Sequence, residues 1–350
     1  MINVESLRGM IAEELKAWDQ PSISVGIVKD GKVELAEGFG YANMDKQVKP
    51  DPDTLYQIGS CSKAFTAAAV AILVDRGILE WDKPVVSYMP WLRFKEPFTT
   101  ANVTVRDLLC HRTGLPRHDA YWIDGPCTRK EMVENLRNMQ PGWSFRSHWC
   151  YQNTCIVAAG MLVEEMTGKT WEEFVKKEIF EPLGMTRSTC YVDAIEADAN
   201  HATPYDRPTP VELQGIREIP FLKSDREDMA KGIGAPYGPA GSIMSTVNDM
   251  LKWVQFNLNN GKVGDKQLIS EAAMKEMHKA NMLMSEPLLM PCKEMDFFSY
   301  GMGWFVETYR GHVMVEHGGN INGFSALVTM IPDQKLGVVT LTNFNDSFDT

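Results

Sequence analysis

The sequence predicts an α+β fold, an antiparallel sheet flanked by helices with a mostly helical lobe inserted. Two observations carry this. Strand-like runs crowd both ends of the 350-residue chain, and the stretch between them is helical and loop-rich. The simplest packing brings the two ends into one sheet and covers it with helices. Residues 1–80 and 238–350 then form a sheet lobe and 81–237 a helical lobe, with a site in the cleft between them.

The elements follow in order. "MINVESLRGMIAEELKAWDQ" is an amphipathic helix that ends ahead of Pro21. "SISVGIVKDGKVELAEGFGYAN" reads as two strands around Asp30-Gly31, a pair suited to a two-residue hairpin turn. "QIGSCSKAFTAAAV" opens a helix that runs to about Arg76 and stops at Gly77, a typical C-cap residue. "TVRDLLCHRTGLP", "TRKEMVENLRNM" and "TCIVAAGMLVEEMTG" each read as a helix. "TWEEFVKKEIFEPLGM" is another, opened by a capping box of Thr170 and Glu173. From about Asp193 to Asp228 the chain is polar and interrupted by proline, a long surface excursion. "STVNDMLKWVQFNLNNGK" is a helix capped by Ser245 or Thr246. "YGMGWFVETY", "HVMVEHGG" and "FSALVTMIPDQKLGVVTLTNF" close the chain as strands, the last with a hairpin at Asp333-Gln334.

Composition narrows the partners. Net charge is -11, from 35 Lys+Arg against 46 Asp+Glu, which argues against nucleic acid and anionic membrane. No run is long enough to span a bilayer. The N-terminus lacks the basic start and uncharged centre of a signal peptide, which points to the cytoplasm. A leader removed beforehand would make the periplasm or the exterior the alternative. The seven cysteines (61, 110, 127, 150, 155, 190 and 292) are odd in number and scattered. They argue against a disulfide framework and for a reducing compartment.

Ser60 and Lys63 stand one turn apart at the head of an almost wholly apolar helix, so their side chains meet. Burial lowers an ammonium's pKa, and such an amine can relieve a serine of its proton and leave a nucleophile. The helix N-terminus adds N–H groups that favour an oxyanion. Taken alone, the pair is a weak signal and reads more readily as an N-cap serine and a lysine snorkelling to solvent than as a nucleophile and its base. Two distant stretches favour the nucleophile and its base. "CYQNT" offers Tyr151, a phenol able to share a proton with the lysine, and Asn153, an amide able to hold a carbonyl. "EHGGNINGF" places His317, Gly318 and Gly319 on a strand whose edge is bare enough for a substrate to approach.

The order Ser-x-x-Lys, Tyr-x-Asn, His-x-Gly resembles the serine β-lactamase and penicillin-binding-protein superfamily. Its class C β-lactamase, esterase and D-aminopeptidase branch is the most similar. "LLCHRTGLP", "PGWSF", "FEPLGM", "GPAGSIMSTVNDM", "YGMGW" and "HGGNINGFSALVTMIPD" add to the resemblance, which runs from about residue 5 to 345. It implies a β-lactamase/transpeptidase-like fold and a serine hydrolase that forms an acyl-enzyme, with no cofactor or metal. Ser60 would be the nucleophile, Lys63 and Tyr151 the proton-transfer pair, and Asn153 a substrate-orienting amide. His317 would lie on the cleft-side strand beside Gly318 and Gly319, bonding Tyr151 or the substrate. The N–H groups of Ser60 and Asn320 would form the oxyanion hole.

The chain also departs from the pattern. "SFRSHWCYQN" carries a few extra residues before Tyr151, which could bring His148 or Trp149 to the pocket rim. His317 replaces the lysine of lactam-hydrolysing members, and a neutral imidazole holds a carboxylate poorly. That favours esters, amides or D-amino-acid peptide bonds in small acyl or short peptide substrates. The family's C-terminal helix is expected to be absent, since the sequence stops at Thr350. The alternative function is a sensor or penicillin-binding domain that is acylated, or binds ligand, without efficient turnover. Other readings are weaker. His148, Cys150 and Cys155 lack zinc-ligand spacing, Cys61 reads as a buried residue, and "TGKT" lacks a P-loop's first glycine.

Overall fold

The computed structural model describes residues 2–118, 127–207, 216–224, 226–285 and 293–345. Helix α1 (Val4–Ala17) is capped by Asn3, whose side chain accepts from the Ser6 N–H. Strands β1 (Ser22–Lys29) and β2 (Lys32–Gly40) form the expected hairpin. Its turn residues Asp30 and Gly31 have φ of 52° and 76°, the left-handed geometry that matches the twist of the strands. Helix α2 (Ser62–Asp75) follows one 3-10 turn at Gly59–Cys61 and ends ahead of Gly77. Helix α3 (Asn153–Thr167) ends on Gly168 at φ 68°. Helix α4 (Val247–Leu258) starts from a Thr246 cap, the second of the two expected candidates.

The remaining strands are β3 (Met282–Leu283), β4 (Phe298–Tyr300), β5 (Phe305–Tyr309), β6 (His312–Ile321), β7 (Phe324–Ile331) and β8 (Leu336–Thr342). With β1 and β2 they build one antiparallel sheet in the order β2-β1-β8-β7-β6-β5-β4-β3. The two ends of the chain meet where β1 pairs β8, Ile23 opposite Thr342 and Lys29 opposite Leu336. On one face Ile23, Val25 and Ile27 pack against Ile11, Leu7 and Leu15 of α1. On the other face two glycines admit α4. A Cβ on Gly26 would lie 2.7 Å from Val247 Cγ1, and one on Gly337 2.2 Å from Val254 Cγ1. Helix α2 is buried all round and stacks Phe65 on Trp253 of α4 at 4.0 Å. Each such ring contributes roughly 1.5–3 kcal/mol on burial, so packing fixes this helix.

Several elements differ from the sequence reading. "YGMGWFVETY" is two strands, because Gly301 and Gly303 turn the chain between β4 and β5. A Cβ on Gly301 would meet the Met277 carbonyl at 2.4 Å, and Gly303 has φ 73°. The Thr170–Glu173 capping box forms, but its helix passes through a π turn at Lys176–Phe180 ahead of Pro182. Proline has no N–H to continue the regular ladder. The expected excursion holds a short helix, Val192–Ala197, and a two-residue ladder of Tyr205–Asp206 with Arg217–Glu218. A second small ladder, Tyr56–Gln57 with Met244–Ser245, draws residues 238–245 beside α2. The expectation about a C-terminal helix concerns residues outside those described, as does Cys292.

Candidate active site

The site is assembled around the turn that precedes α2. Ser60 lies in that 3-10 turn, half-buried, and Lys63 one turn on is 0% exposed. Lys63 Nζ donates to Ser60 Oγ at 2.8 Å and to the Ala240 carbonyl at 2.7 Å. The snorkelling alternative therefore does not hold, and neither does the cap, because no side chain caps this helix. The neighbouring hydroxyl has a different task, since Ser62 Oγ accepts from the Ile243 N–H at 3.0 Å. Cys61 donates its thiol to the His317 carbonyl at 3.1 Å and is buried.

Ala240 reaches Lys63 because a short turn, Gly238–Gly241, is wedged between α2 and α3. Thr66 Oγ1 donates to the Pro239 carbonyl at 2.6 Å from the α2 side. From the α3 side Gly160 makes room, for a Cβ there would lie 2.3 Å from Pro239 Cγ. The family-like stretch "GPAGSIMSTVNDM" thereby enters the site, a placement that its local pattern does not mark.

Tyr151 and Asn153 sit where α3 begins. Asn153 is its first residue, and Gln152 caps it by accepting from the Thr154 N–H. Lys63 Nζ is 4.7 Å from the centroid of the Tyr151 ring. Ser60, Asn153 and Asn320 line one small pocket together with Arg117 and Tyr237. A larger cleft lined by Glu172, Arg187, Tyr191 and Lys231 contains none of the expected site residues.

Strand β6 brings the third group. Gly319 crosses the Ser60 turn so closely that a Cβ would lie 2.0 Å from the Ile58 carbonyl and 2.8 Å from Ser60 N. Gly59, at φ 47°, returns the fit, since its own Cβ would stand 2.9 Å from Asn320 N. The two glycines thus place the backbones of Ser60 and Asn320 side by side. Gly318 is not crowded in this way, its nearest atom being the Ala326 carbonyl oxygen at 3.8 Å.

His317 is 1% exposed, and its partner is Tyr300, which the sequence reading did not single out. Nδ1 lies 2.6 Å from the Gly318 carbonyl and Nε2 lies 2.9 Å from the Tyr300 hydroxyl. A carbonyl only accepts, so the proton is on Nδ1 and Nε2 accepts from Tyr300. Burial, helped by the Lys63 charge, pushes the imidazole down to about 3. His111, in the stretch "LLCHRTGLP", is held well below its usual value by burial and then by Lys63. Its Nδ1 accepts from the Gln152 N–H, and its ring lies 4.4 Å from Tyr151. Of the two rim candidates, Trp149 packs near Tyr151 and Tyr300, while His148 stacks on Trp143 at 4.3 Å. Among the described residues no cluster of three His, Cys, Asp or Glu side chains could hold a metal.

This fold, with Ser-x-x-Lys and Tyr-x-Asn brought together beside the strand that carries His-x-Gly, is of the β-lactamase/transpeptidase-like type. The chain belongs to the Beta-lactamase family, whose family model matches residues 7–350. It is similar to the unguisins hydrolase ungD of Aspergillus violaceofuscus, with 30% identity over 95% of this chain and 60% of that protein. The protein flp of Staphylococcus aureus strain MW2 is 27% identical, with 97% of this chain and 63% of flp covered. The chain thus spans under two thirds of the length of these curated relatives. Among solved structures, the octameric penicillin-binding protein homologue of Pyrococcus abyssi superimposes with a TM-score of 0.83 and 29% identity. That match covers 98% of this chain and 74% of the other. A class C β-lactamase from Rhodobacter sphaeroides shares the fold, with a TM-score of 0.75 and 22% identity over 98% and 95% of the two chains.

Proposed function

We propose that the protein is a serine hydrolase that acts through an acyl-enzyme on an ester, an amide or a D-amino-acid peptide bond. The observation that carries this is the buried amine of Lys63, 2.8 Å from Ser60 Oγ. In this reading Ser60 Oγ attacks the acyl carbon while its proton passes to the Lys63–Tyr151 pair. The pair then protonates the leaving oxygen or nitrogen, and water releases the acyl group by the same steps in reverse. The N–H groups of Ser60 and Asn320 stabilise the oxyanion, and Asn153 orients the substrate carbonyl. Ala240's carbonyl keeps Lys63 aimed at Ser60 throughout. Neutral His317 offers no ammonium for a lactam's carboxylate, which supports ester and amide substrates over penicillins. The name of the Aspergillus relative, a hydrolase, supports the reaction class.

Intact-mass analysis after treatment with a fluorophosphonate tests the nucleophile. The protein is expected to gain one adduct, and Ser60→Ala none. An adduct on the Ser60→Ala variant would overturn the assignment.

A further inference from the structure

The charges around Tyr151 can be counted residue by residue. The titratable side chains described around its ring are Lys63 from α2, His111, Arg117, His317 from β6 and Tyr300 from β4. Burial keeps both histidines neutral, and it raises Tyr300 well above the usual phenol value. Among the described residues, the positive charges facing the phenol are therefore Lys63 and Arg117. Arg117 extends from the loop after Leu115, with its guanidinium 5.0 Å from the centroid of the Tyr151 ring. It also lines the pocket that contains Ser60 and Asn153. Its charge reaches deep into the site, since it is one of the causes that hold His111 neutral.

We propose that Arg117 is a positioning residue for acylation, a second cation that stabilises the phenolate form of Tyr151. The proposal rests on the reading of Ser60 as nucleophile. A cation against an aromatic face attracts the ring, and it favours a phenolate more strongly than a phenol. In this chain the third motif supplies no charge, so a cation from the helical side takes over that electrostatic task. The step balances simply. Tyr151 oxygen takes the Ser60 proton, Oγ bonds to the electrophile, and the leaving group departs. With a fluorophosphonate the phosphorus–fluorine bond breaks and fluoride leaves.

The test uses that probe, so no substrate need be known. The second-order rate of labelling is measured against pH for the intact protein, Arg117→Lys and Arg117→Gln. Loss of a cation makes the neighbouring Tyr151 phenol harder to deprotonate, so the acid limb of the profile moves to higher pH. Arg117 is exposed and its field is screened by water. The expected move in Arg117→Gln is therefore about one pH unit, a loss of about tenfold in rate below the limb. Arg117→Lys keeps a charge and is expected to restore the profile of the unmodified protein. The proposal is overturned if Arg117→Gln leaves the limb in place, or if Arg117→Lys moves it as far as Arg117→Gln does. Neither result touches the nucleophile assignment, which falls only if Ser60→Ala is still labelled.

Discussion

His317 shows how surroundings decide what a side chain can do. An imidazole in water titrates near 6.5, yet here burial and the Lys63 charge push it down to about 3. Its two hydrogen bonds, to the Gly318 carbonyl and from Tyr300, both suit the neutral ring. It therefore stays uncharged across the pH range in which hydrolases work. Nitrogen-15 NMR of the labelled histidines is expected to show the Nδ1–H tautomer of His317 unchanged from pH 8 to pH 5. A ring that titrates within that range would remove the reason for preferring esters and amides to lactams. Legibility at this scale follows distance along the chain. Ser60 and Lys63 were readable as a pair because helix geometry alone brings i and i+3 together. Tyr300 and Arg117 were not, because only tertiary packing sets a β4 hydroxyl beside His317 or a loop guanidinium beside Tyr151. "YGMGW" and "LLCHRTGLP" are family-like stretches, yet no local rule marks their Tyr300 and His111 as neighbours of the site.

Between elements, the crossing of β6 over the Ser60 turn is the contact that sets side by side the two backbone N–H groups to which the proposed reaction assigns the oxyanion. It depends on Gly319, which has a backbone carbonyl where its Cβ would be. Gly319→Ala must push β6 away from the turn, and such overpacking costs roughly 1–3 kcal/mol. Thermal unfolding is expected to show that loss, together with fluorophosphonate labelling slowed by at least about tenfold, the effect of removing part of an oxyanion hole. Gly318→Ala, one residue away, meets only an ordinary contact at 3.8 Å and is expected to keep its stability. Equal stability of the two variants would mean that the crossing is not as tight as described. The sequence marked the glycine pair but not which member is indispensable, because strand register across a turn is a tertiary property. The same limit explains β4 and β5. Their apolar run reads as one strand until Gly301 is seen to pass against the Met277 carbonyl. The Asp30-Gly31 hairpin, by contrast, was legible because its turn chemistry is local.

At the scale of the whole molecule, buried groups of both kinds set the pH dependence of stability. His111, His278 and His317 are held neutral, His278 at about 4 and His317 at about 3, chiefly by burial. Their folded values lie below the unfolded one, so they favour unfolding as pH falls from about 6.5 through the folded values. Glu316 is raised to about 7 by burial, and Glu307 to about 8 by burial and then by Glu316. Glu227 is likewise raised to about 7 by burial. Their folded values exceed the unfolded one, so the stability they contribute is complete below about pH 4.5 and lost by pH 7 to 8. Between about pH 4.5 and 6.5 the two trends oppose each other, and the stability curve is expected to be broad there. Above that range only the carboxyls act, and stability falls toward pH 8, by on the order of 2 kcal/mol after allowance for solvent screening. Denaturant unfolding at a series of pH values measures this directly. Replacing both Glu307 and Glu316 by Gln keeps the shape and removes the titration, so most of the decline between pH 6.5 and 8 is expected to disappear. A protein that becomes more stable over that interval, or a double variant that keeps the full decline, would show that the two carboxyls are already ionised within the fold.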